Sequence, residues 1–269
     1  MKTFLTLFVL FFSSFVSAEL PNSFFGIEIN ENINEYKKED VVERETKAFC
    51  NQQKRPKISA SGEIKEILPE EIEVRFMTNH PLFDSQCVHY DNKSLITGVT
   101  AINDWNFFND FEKSDINRFG LKELFENHLE IINTLSSLYE IKTSKFNNSH
   151  SFVQKQVKVD ISEHNIKSTF NAQTLFLVNT LAFKINNKKM LLYVFSYAQK
   201  MRDPEKSETI FNNLLGSGYS TVGLVNESND LYNHFKNWKK ICTECKDNWI
   251  KLKEVDKYIN LMTKQSSSF

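Results

Sequence analysis

Glycine and proline are scarce in this chain, which has 7 glycines and 5 prolines among 269 residues. Flexible linkers and low-complexity tracts are built mainly from Gly, Pro and Ser, and no stretch of that composition occurs here. No internal repeat is visible either. Because the length is sufficient to bury a sizeable core, the sequence predicts one folded domain.

An excess of charge of one sign is also lacking. Lys and Arg number 33 against 34 Asp and Glu, which gives a net charge of −1. Nucleic acids and anionic membranes select strongly basic surfaces, so we expect neither as a partner. The chain also contains no HExxH pair, EF-hand loop or kinase signature. This lack of motifs favours a protein that is not an enzyme, and no cofactor is expected.

Long apolar runs are rare, and the clearest one is at the N-terminus. Lys2 precedes an apolar run from Phe4 to Val16, and small residues follow it up to Ala18. This order is typical of a signal peptide, and the run is shorter than the roughly 20 residues that span a bilayer. We expect cleavage after Ala18, which leaves residues 19–269 and, with Lys2 gone, changes the net charge from −1 to −2. We expect no transmembrane segment in the mature chain, because Lys184 to Lys189 divides its other long apolar stretch.

Cysteine is rare, and its number is even. The four residues are Cys50, Cys87, Cys242 and Cys245. In an exported chain an even count favours disulfides, and four cysteines allow three connectivities between which the sequence does not decide. The pairing of Cys50 with Cys87 and of Cys242 with Cys245 closes the shortest loops and is preferred on that ground. The short Met-Lys start favours a bacterial periplasm, with an extracellular location as the alternative.

Alternating apolar residues predict several strands. The segments are Phe24–Ile29, Ile72–Phe76, Val153–Ile161, Thr174–Ile185 and Met190–Ala198. The last two are joined by a turn at Asn186-Asn187-Lys188-Lys189 and are apolar on both faces in places. We therefore expect an antiparallel sheet with a long central hairpin at about residues 174–198.

Apolar residues at spacings of three and four predict the helices. One stripe comprises Leu121, Leu124, Phe125, His128, Ile131, Ile132 and Leu135. Asp203 and Pro204 predict the start of a second helix that ends at Gly216, and Ser228 or Asn229 caps a third that begins near Leu231. A short helix is predicted after Asn103-Asp104. The expected fold class is α+β, an antiparallel sheet covered by several helices in a single domain over residues 19–269.

The motif with recognised chemistry is Cys242-Thr243-Glu244-Cys245. It resembles the thioredoxin-like CxxC motif, which supports thiol–disulfide exchange. A βαβ framework should follow that motif, whereas this chain ends at Phe269, and a spacing of three places both sulfurs on the apolar face with Trp238. A structural disulfide is the competing interpretation. The motif is also followed by Lys246 and not by the His of a c-type haem attachment site.

A metal site is a weaker hypothesis. Cys87 and His89 are two residues apart, so on a strand their side chains point the same way, and His80 and Asp84 lie nearby in the sequence. The alternative is a disulfide-bonded Cys87 beside an exposed histidine. His128, alone on an apolar helix face, is predicted to be a boundary residue satisfied by a partner.

Two functional hypotheses remain. The first is a non-catalytic envelope protein that binds a small ligand or another envelope protein, through an exposed sheet face or through the aromatic cluster of Trp105, Phe107 and Phe108. The second is a periplasmic thiol–disulfide oxidoreductase with Cys242 as the attacking thiolate and Cys245 as the resolving thiol.

Overall fold

The computed structural model of the protein describes residues 21–36, 48–52, 57–58, 64–65, 83, 85–106, 121–161, 166–202 and 215–264. The strands are β1 (Ser23–Phe24), β2 (Ile27–Glu28), β3 (Ala48–Gln52), β4 (Lys57–Ile58), β5 (Ile64–Lys65), β6 (Ser85–Tyr90), β7 (Ile96–Asn106), β8 (Asn147–Asn148), β9 (His150–Ile161), β10 (Ile166–Ile185), β11 (Lys188–Arg202), β12 (Leu215–Asn226) and β13 (Trp249–Ile250). The α-helices are α1 (Leu121–Leu138), α2 (Asp230–Lys236), α3 (Trp238–Ile241) and α4 (Val255–Lys264). Short 3₁₀ helices cover Ile33–Glu35, Thr143–Lys145, Thr243–Cys245 and Leu252–Glu254.

Most of the strands belong to one antiparallel sheet. Its order is β13-β9-β10-β11-β12-β7-β6-β3, and β8 pairs with β10 beyond the end of β9. Two small pairs, β1 with β2 and β4 with β5, lie apart from it. The fold is therefore α+β, an antiparallel sheet with a few helices.

Strands β10 and β11 are joined by a two-residue turn. They pair from Ile185 opposite Lys188 to Asn171 opposite Arg202. The turn residues Asn186 and Asn187 have φ angles of 48° and 65°. Positive φ at both central residues is the hairpin turn that matches the twist of the strands, and Asn tolerates this conformation better than most side chains.

One face of the sheet carries helix α1. Leu124, Ile131 and Leu135 are buried on the helix, so the predicted apolar stripe is confirmed. Strand residues Leu192 and Val194 lie in the same apolar cluster as Ile131 and Leu135. Helix α4 adds its apolar side chains to Leu124 in a neighbouring cluster on this face.

The opposite face of the sheet packs against α2 and α3. Because successive strand residues point to opposite faces, Tyr193 and Phe195 turn away from α1 and meet Phe235 and Trp238. The rings of Tyr193 and Phe235 are stacked with centroids 4.0 Å apart.

Asn229 begins helix α2, as its sequence position predicts. Its Oδ1 accepts the backbone N–H of Leu231 at 3.0 Å, which is the bond expected of an N-cap. Its Nδ2 donates to Oγ1 of Thr97 at 3.1 Å on β7. The stripe that starts at Leu231 does not continue as one helix, since α2 ends at Lys236 and α3 at Ile241.

Several predicted elements differ from the structure. Residues 24–29 are not one strand, because a tight turn at Phe25 and Gly26, both with positive φ, folds β1 back on β2. Asn103 and Asp104 do not cap a helix but pair with Ser220 and Tyr219 inside β7. In each case hydrogen bonding to a neighbouring segment prevails over the local signal.

Gly216 does not end a helix either. Leu215 and Gly216 begin β12, which runs without interruption to Asn226 between β11 and β7. Gly216, Gly218 and Gly223 all lie within this strand. Pairing on both sides supplies backbone hydrogen bonds that glycine forms as well as any residue.

Some predictions fall outside the described residues. They are the strand Ile72–Phe76, the helix from Asp203 to Leu214, and the aromatic side chains of Phe107 and Phe108. Among the described residues, no helix combines the length and apolarity needed to cross a membrane.

Candidate functional site

The segment from α3 to β13 places the CxxC motif against the sheet edge. Cys242 ends α3, and its N–H donates to the carbonyl of Trp238 at 2.9 Å. The carbonyl of Cys245 accepts from the N–H of Asn248 at 2.9 Å. Trp249 then pairs with Ser151 of β9, which holds the segment to the sheet as its outermost strand, β13.

The structure joins Cys242 and Cys245 in a disulfide with Cα atoms 5.2 Å apart. The two sulfurs have different surroundings. Cys245 has no exposed surface and lies among the aromatic side chains of the α2 face, whereas Cys242 is partly exposed. Solvent and other molecules therefore approach the pair from the Cys242 side.

Ser151 contacts the buried sulfur directly. Its hydroxyl lies 3.0 Å from Sγ of Cys245, and the serine is itself completely buried. A disulfide sulfur carries no hydrogen, so the hydroxyl must be the donor. Nearby, Nζ of Lys155 and Oε1 of Glu244 form an ion pair at 2.7 Å that ties the motif to β9 a second time.

Aromatic side chains continue from the disulfide towards the surface. Tyr197 lies between Phe176 and Tyr219, with centroid distances of 5.4 and 5.5 Å. Tyr219 is 37% exposed and also packs on Phe195. Burial raises the pKa of the Tyr197 phenol above its ordinary value. We call Tyr197 and Tyr219 together the tyrosine surface.

A second set of polar side chains is buried between the sheet and helix α1. His128 of α1 is completely buried, with Nδ1 at 2.8 Å from Oγ of Ser196 and Nε2 at 2.8 Å from Oδ1 of Asn179. Ser196 is also 2.8 Å from Oγ of Ser220. Asn179 donates through Nδ2 to Oδ1 of Asn148, which is exposed.

Burial fixes the protonation and the direction of these bonds. It lowers the pKa of His128 to about 3, against a smaller opposing effect of the Asn179 hydrogen bond, so the ring is neutral at pH 7. Nε2 must carry the proton, because Oδ1 of Asn179 can only accept. Nδ1 then accepts from Ser196, which in turn accepts from Ser220.

His150 supports the sheet where β8 and β9 meet. Its Nδ1 accepts the backbone N–H of Val178 at 3.1 Å, which replaces a ladder bond at the break between the two strands. Burial, with a smaller contribution from Lys239, lowers its pKa to about 4. Its ring stands edge-on to that of His128 at 6.2 Å, and its Nε2 has no hydrogen-bond partner among the residues that the structure describes.

The serine, histidine and amide of this network are the residue types of a hydrolase triad, but their burial argues for a structural role. Ser196 and His128 have no exposed surface, so a substrate does not reach them in this structure. Ser196 and Asn179 each form a hydrogen bond to a different ring nitrogen of His128. The prediction that His128 is satisfied by partners is confirmed, although its site is the core and not the boundary.

The residues of the proposed metal site are only partly described. Cys87 is disulfide-bonded, and Cys50 lies directly opposite it in the register of β3 and β6. Nε2 of His89 is 3.0 Å from Oγ1 of Thr100, and burial lowers the pKa of the ring to about 4. His80 lies outside the described residues, so the metal site stays a prediction. Among the described residues, no three His, Cys, Asp or Glu side chains form a metal-binding group.

Sequence reasoning missed Ser151, Asn179 and Ser196. They are distant along the chain from the groups they contact, and only the fold brings them together. One signal was present for the last two: Asn179 lies between Leu177 and Leu181, and Ser196 follows Val194, on strand faces that are otherwise apolar. A polar residue at such a position needs a buried partner.

No protein-family model, curated protein or solved structure matches this chain.

Proposed function

We propose that the chain is an exported protein of the cell envelope that binds a partner and is not an enzyme. The tyrosine surface is the observation that carries this proposal. Tyr219 is 37% exposed and packs on the core residue Phe195 and on Tyr197, which is partly buried against the same cluster. Rigid aromatic side chains bury much area on binding at a small cost in conformational entropy, and they are enriched at interfaces.

Photo-cross-linking in the intact envelope tests this proposal. A benzophenone amino acid replaces Tyr219 in one variant and Leu138, which is 66% exposed at the end of α1, in a matched control. We expect a discrete adduct at 219, seen on a gel for a protein partner or by intact mass for a small ligand, and none at 138. Absence of an adduct at 219, or the same adducts at both positions, would contradict a binding role for this surface.

The proposed location rests on the N-terminal pattern. Cleavage after Ala18 leaves Glu19 as the first residue of a single α+β domain, with the long β10–β11 hairpin central and helices covering both of its faces. The periplasm is the favoured compartment, and an extracellular location is the alternative. Intact mass of the protein recovered from periplasm and medium separates the two, and a mass that still includes residues 1–18 contradicts cleavage.

A second candidate function is thiol–disulfide exchange. One observation favours it: Cys242 is partly exposed while Cys245 is completely buried, which is the asymmetry that separates an attacked sulfur from a resolving one. Titration of the pair in graded thiol buffers distinguishes the two functions. A pair that stays closed to below about −300 mV is a structural disulfide, and a pair that opens at milder potentials is redox-active.

A further inference from the structure

We propose that Ser151 assists cleavage of the Cys242–Cys245 bond by stabilising Cys245 as the leaving thiolate, with Cys242 as the sulfur that an incoming thiolate attacks. This inference rests on the second candidate function. It adds a residue from strand β9, distant in sequence from the motif, to the chemistry of the cysteine pair.

Exposure determines which sulfur is attacked. An incoming thiolate must approach one sulfur along the extension of the S–S bond, and Cys245 is completely enclosed. Cys242 is the partly exposed member of the pair. Attack therefore occurs at Sγ of Cys242, and Cys245 is the leaving group.

Burial of Cys245 disfavours its departure as a thiolate unless a hydrogen-bond donor stabilises the charge. A thiolate in apolar surroundings is destabilised, which raises the pKa of the thiol and slows its departure. Here the surroundings include Phe235 and Trp238. The hydroxyl of Ser151, 3.0 Å from Sγ of Cys245, is placed to donate to the negative charge as it develops. Hydrogen bonds to charged groups are about twice as strong as those between neutral groups.

The co-reactant is a dithiol of an extracytoplasmic protein. One of its thiols loses a proton to solvent, and the resulting thiolate forms a bond to Sγ of Cys242. The S–S bond breaks, and its electron pair remains on Sγ of Cys245. The second thiolate of the partner then attacks the partner's own sulfur in the mixed disulfide and releases Cys242. The partner leaves oxidised to a disulfide, and both cysteines of this chain are reduced.

Cleavage by dithiothreitol measures the contribution of Ser151. We expect Ser151→Ala to lower the rate constant about fivefold to tenfold, since most of a charge-assisted hydrogen bond is lost in the transition state. Ser151→Thr keeps the hydroxyl and should restore most of the rate. Ser220→Ala is the matched control, because it removes another buried hydroxyl that does not contact the disulfide. A rate in Ser151→Ala equal to that of the wild type would overturn the proposal.

A second experiment uses the wild-type protein, so its result does not depend on whether a variant folds. The disulfide is treated with excess glutathione, quenched early by alkylation and mapped by proteolysis. We expect glutathione on Cys242 and the alkyl group on Cys245. The reverse distribution would show that Cys245 is attacked, and it would overturn the proposal.

The two proposals fail in different ways. If Cys245→Ser traps a mixed disulfide with an envelope protein while Ser151→Ala cleaves as fast as the wild type, exchange stands and the role of Ser151 falls. If Ser151→Ala slows cleavage but no mixed disulfide forms, the role of Ser151 stands and the oxidoreductase function falls.

Discussion

Gly223 shows how closely a single residue is constrained in this sheet. It lies opposite Tyr193 in the pairing of β11 with β12. A methyl group on Gly223 would lie 2.6 Å from Cε1 of the Tyr193 ring. The ring has little room to move, because it is buried and stacked on Phe235. The absence of a side chain is therefore a packing requirement.

We expect Gly223→Ala to lower the free energy of unfolding by about 1–3 kcal/mol, since the clash forces a buried ring to shift. Urea denaturation measures the change. In a Tyr193→Leu background the same substitution should cost less, because the ring that meets the methyl group is gone. An identical cost in both backgrounds would show that the clash is not the cause.

His128 is a residue whose removal leaves other groups unpaired. We expect His128→Leu to destabilise the protein by about 2–4 kcal/mol, because Oδ1 of Asn179 is then buried without its donor and the hydroxyl of Ser196 keeps only Ser220 as a partner. His234→Leu is the control, since this histidine is exposed on α2 and should change stability by less than about 1 kcal/mol. Equal losses in the two variants would contradict the importance of the network.

At the scale of single elements, the turn between β10 and β11 depends on its backbone conformation. Asn187 has a φ of 65° and is exposed. We expect Asn187→Val to cost about 1–2 kcal/mol, because a β-branched side chain opposes positive φ, while Asn187→Gly should be neutral or stabilising. Thermal unfolding compares them with Lys188→Val, an exposed strand position where valine is tolerated. A similar loss at both positions would argue against backbone strain.

The elements that could be predicted are those whose pattern and environment agree. Helix α1 has a single apolar face, and that face packs against the sheet. β12 could not be predicted in full, because its glycines signal a turn locally and only pairing with β11 and β7 makes them part of a strand. The residues of the candidate site also differ in how far the sequence predicts them. Cys242 and Cys245 are three positions apart and form a recognisable motif, whereas the contact of Ser151 with Cys245 depends on the pairing of β13 with β9.

At the scale of the whole molecule, burial of neutral histidines makes stability depend on pH. Burial lowers the pKa of His128 to about 3 and those of His89 and His150 to about 4. The unfolded chain protonates its histidines near pH 6.5, so below that pH it binds more protons than the folded protein. The stabilisation is complete above pH 6.5 and is lost as the pH falls towards 4.

We expect the free energy of unfolding to fall below pH 6.5 by about 1.4 kcal/mol per pH unit for each such histidine. Urea denaturation between pH 7.5 and 5 measures the slope. His128→Gln should reduce the slope by about one proton, because one of the buried neutral rings is then absent. A slope that is the same in the wild type and in His128→Gln would contradict the neutral burial of this ring.

The position of β12 has a consequence for how the chain acquires its structure. β12 is the strand that connects β11 to β7, and Asn226 at its end donates to Oδ1 of Asn30 at 2.9 Å. The early strands β3, β6 and β7 pair with one another, but β7 is joined to the rest of the sheet only by pairing with β12, which begins at Leu215. Contacts so distant in sequence make folding slow. A chain delivered N-terminus first would expose its first half to proteases and chaperones until its last quarter arrives.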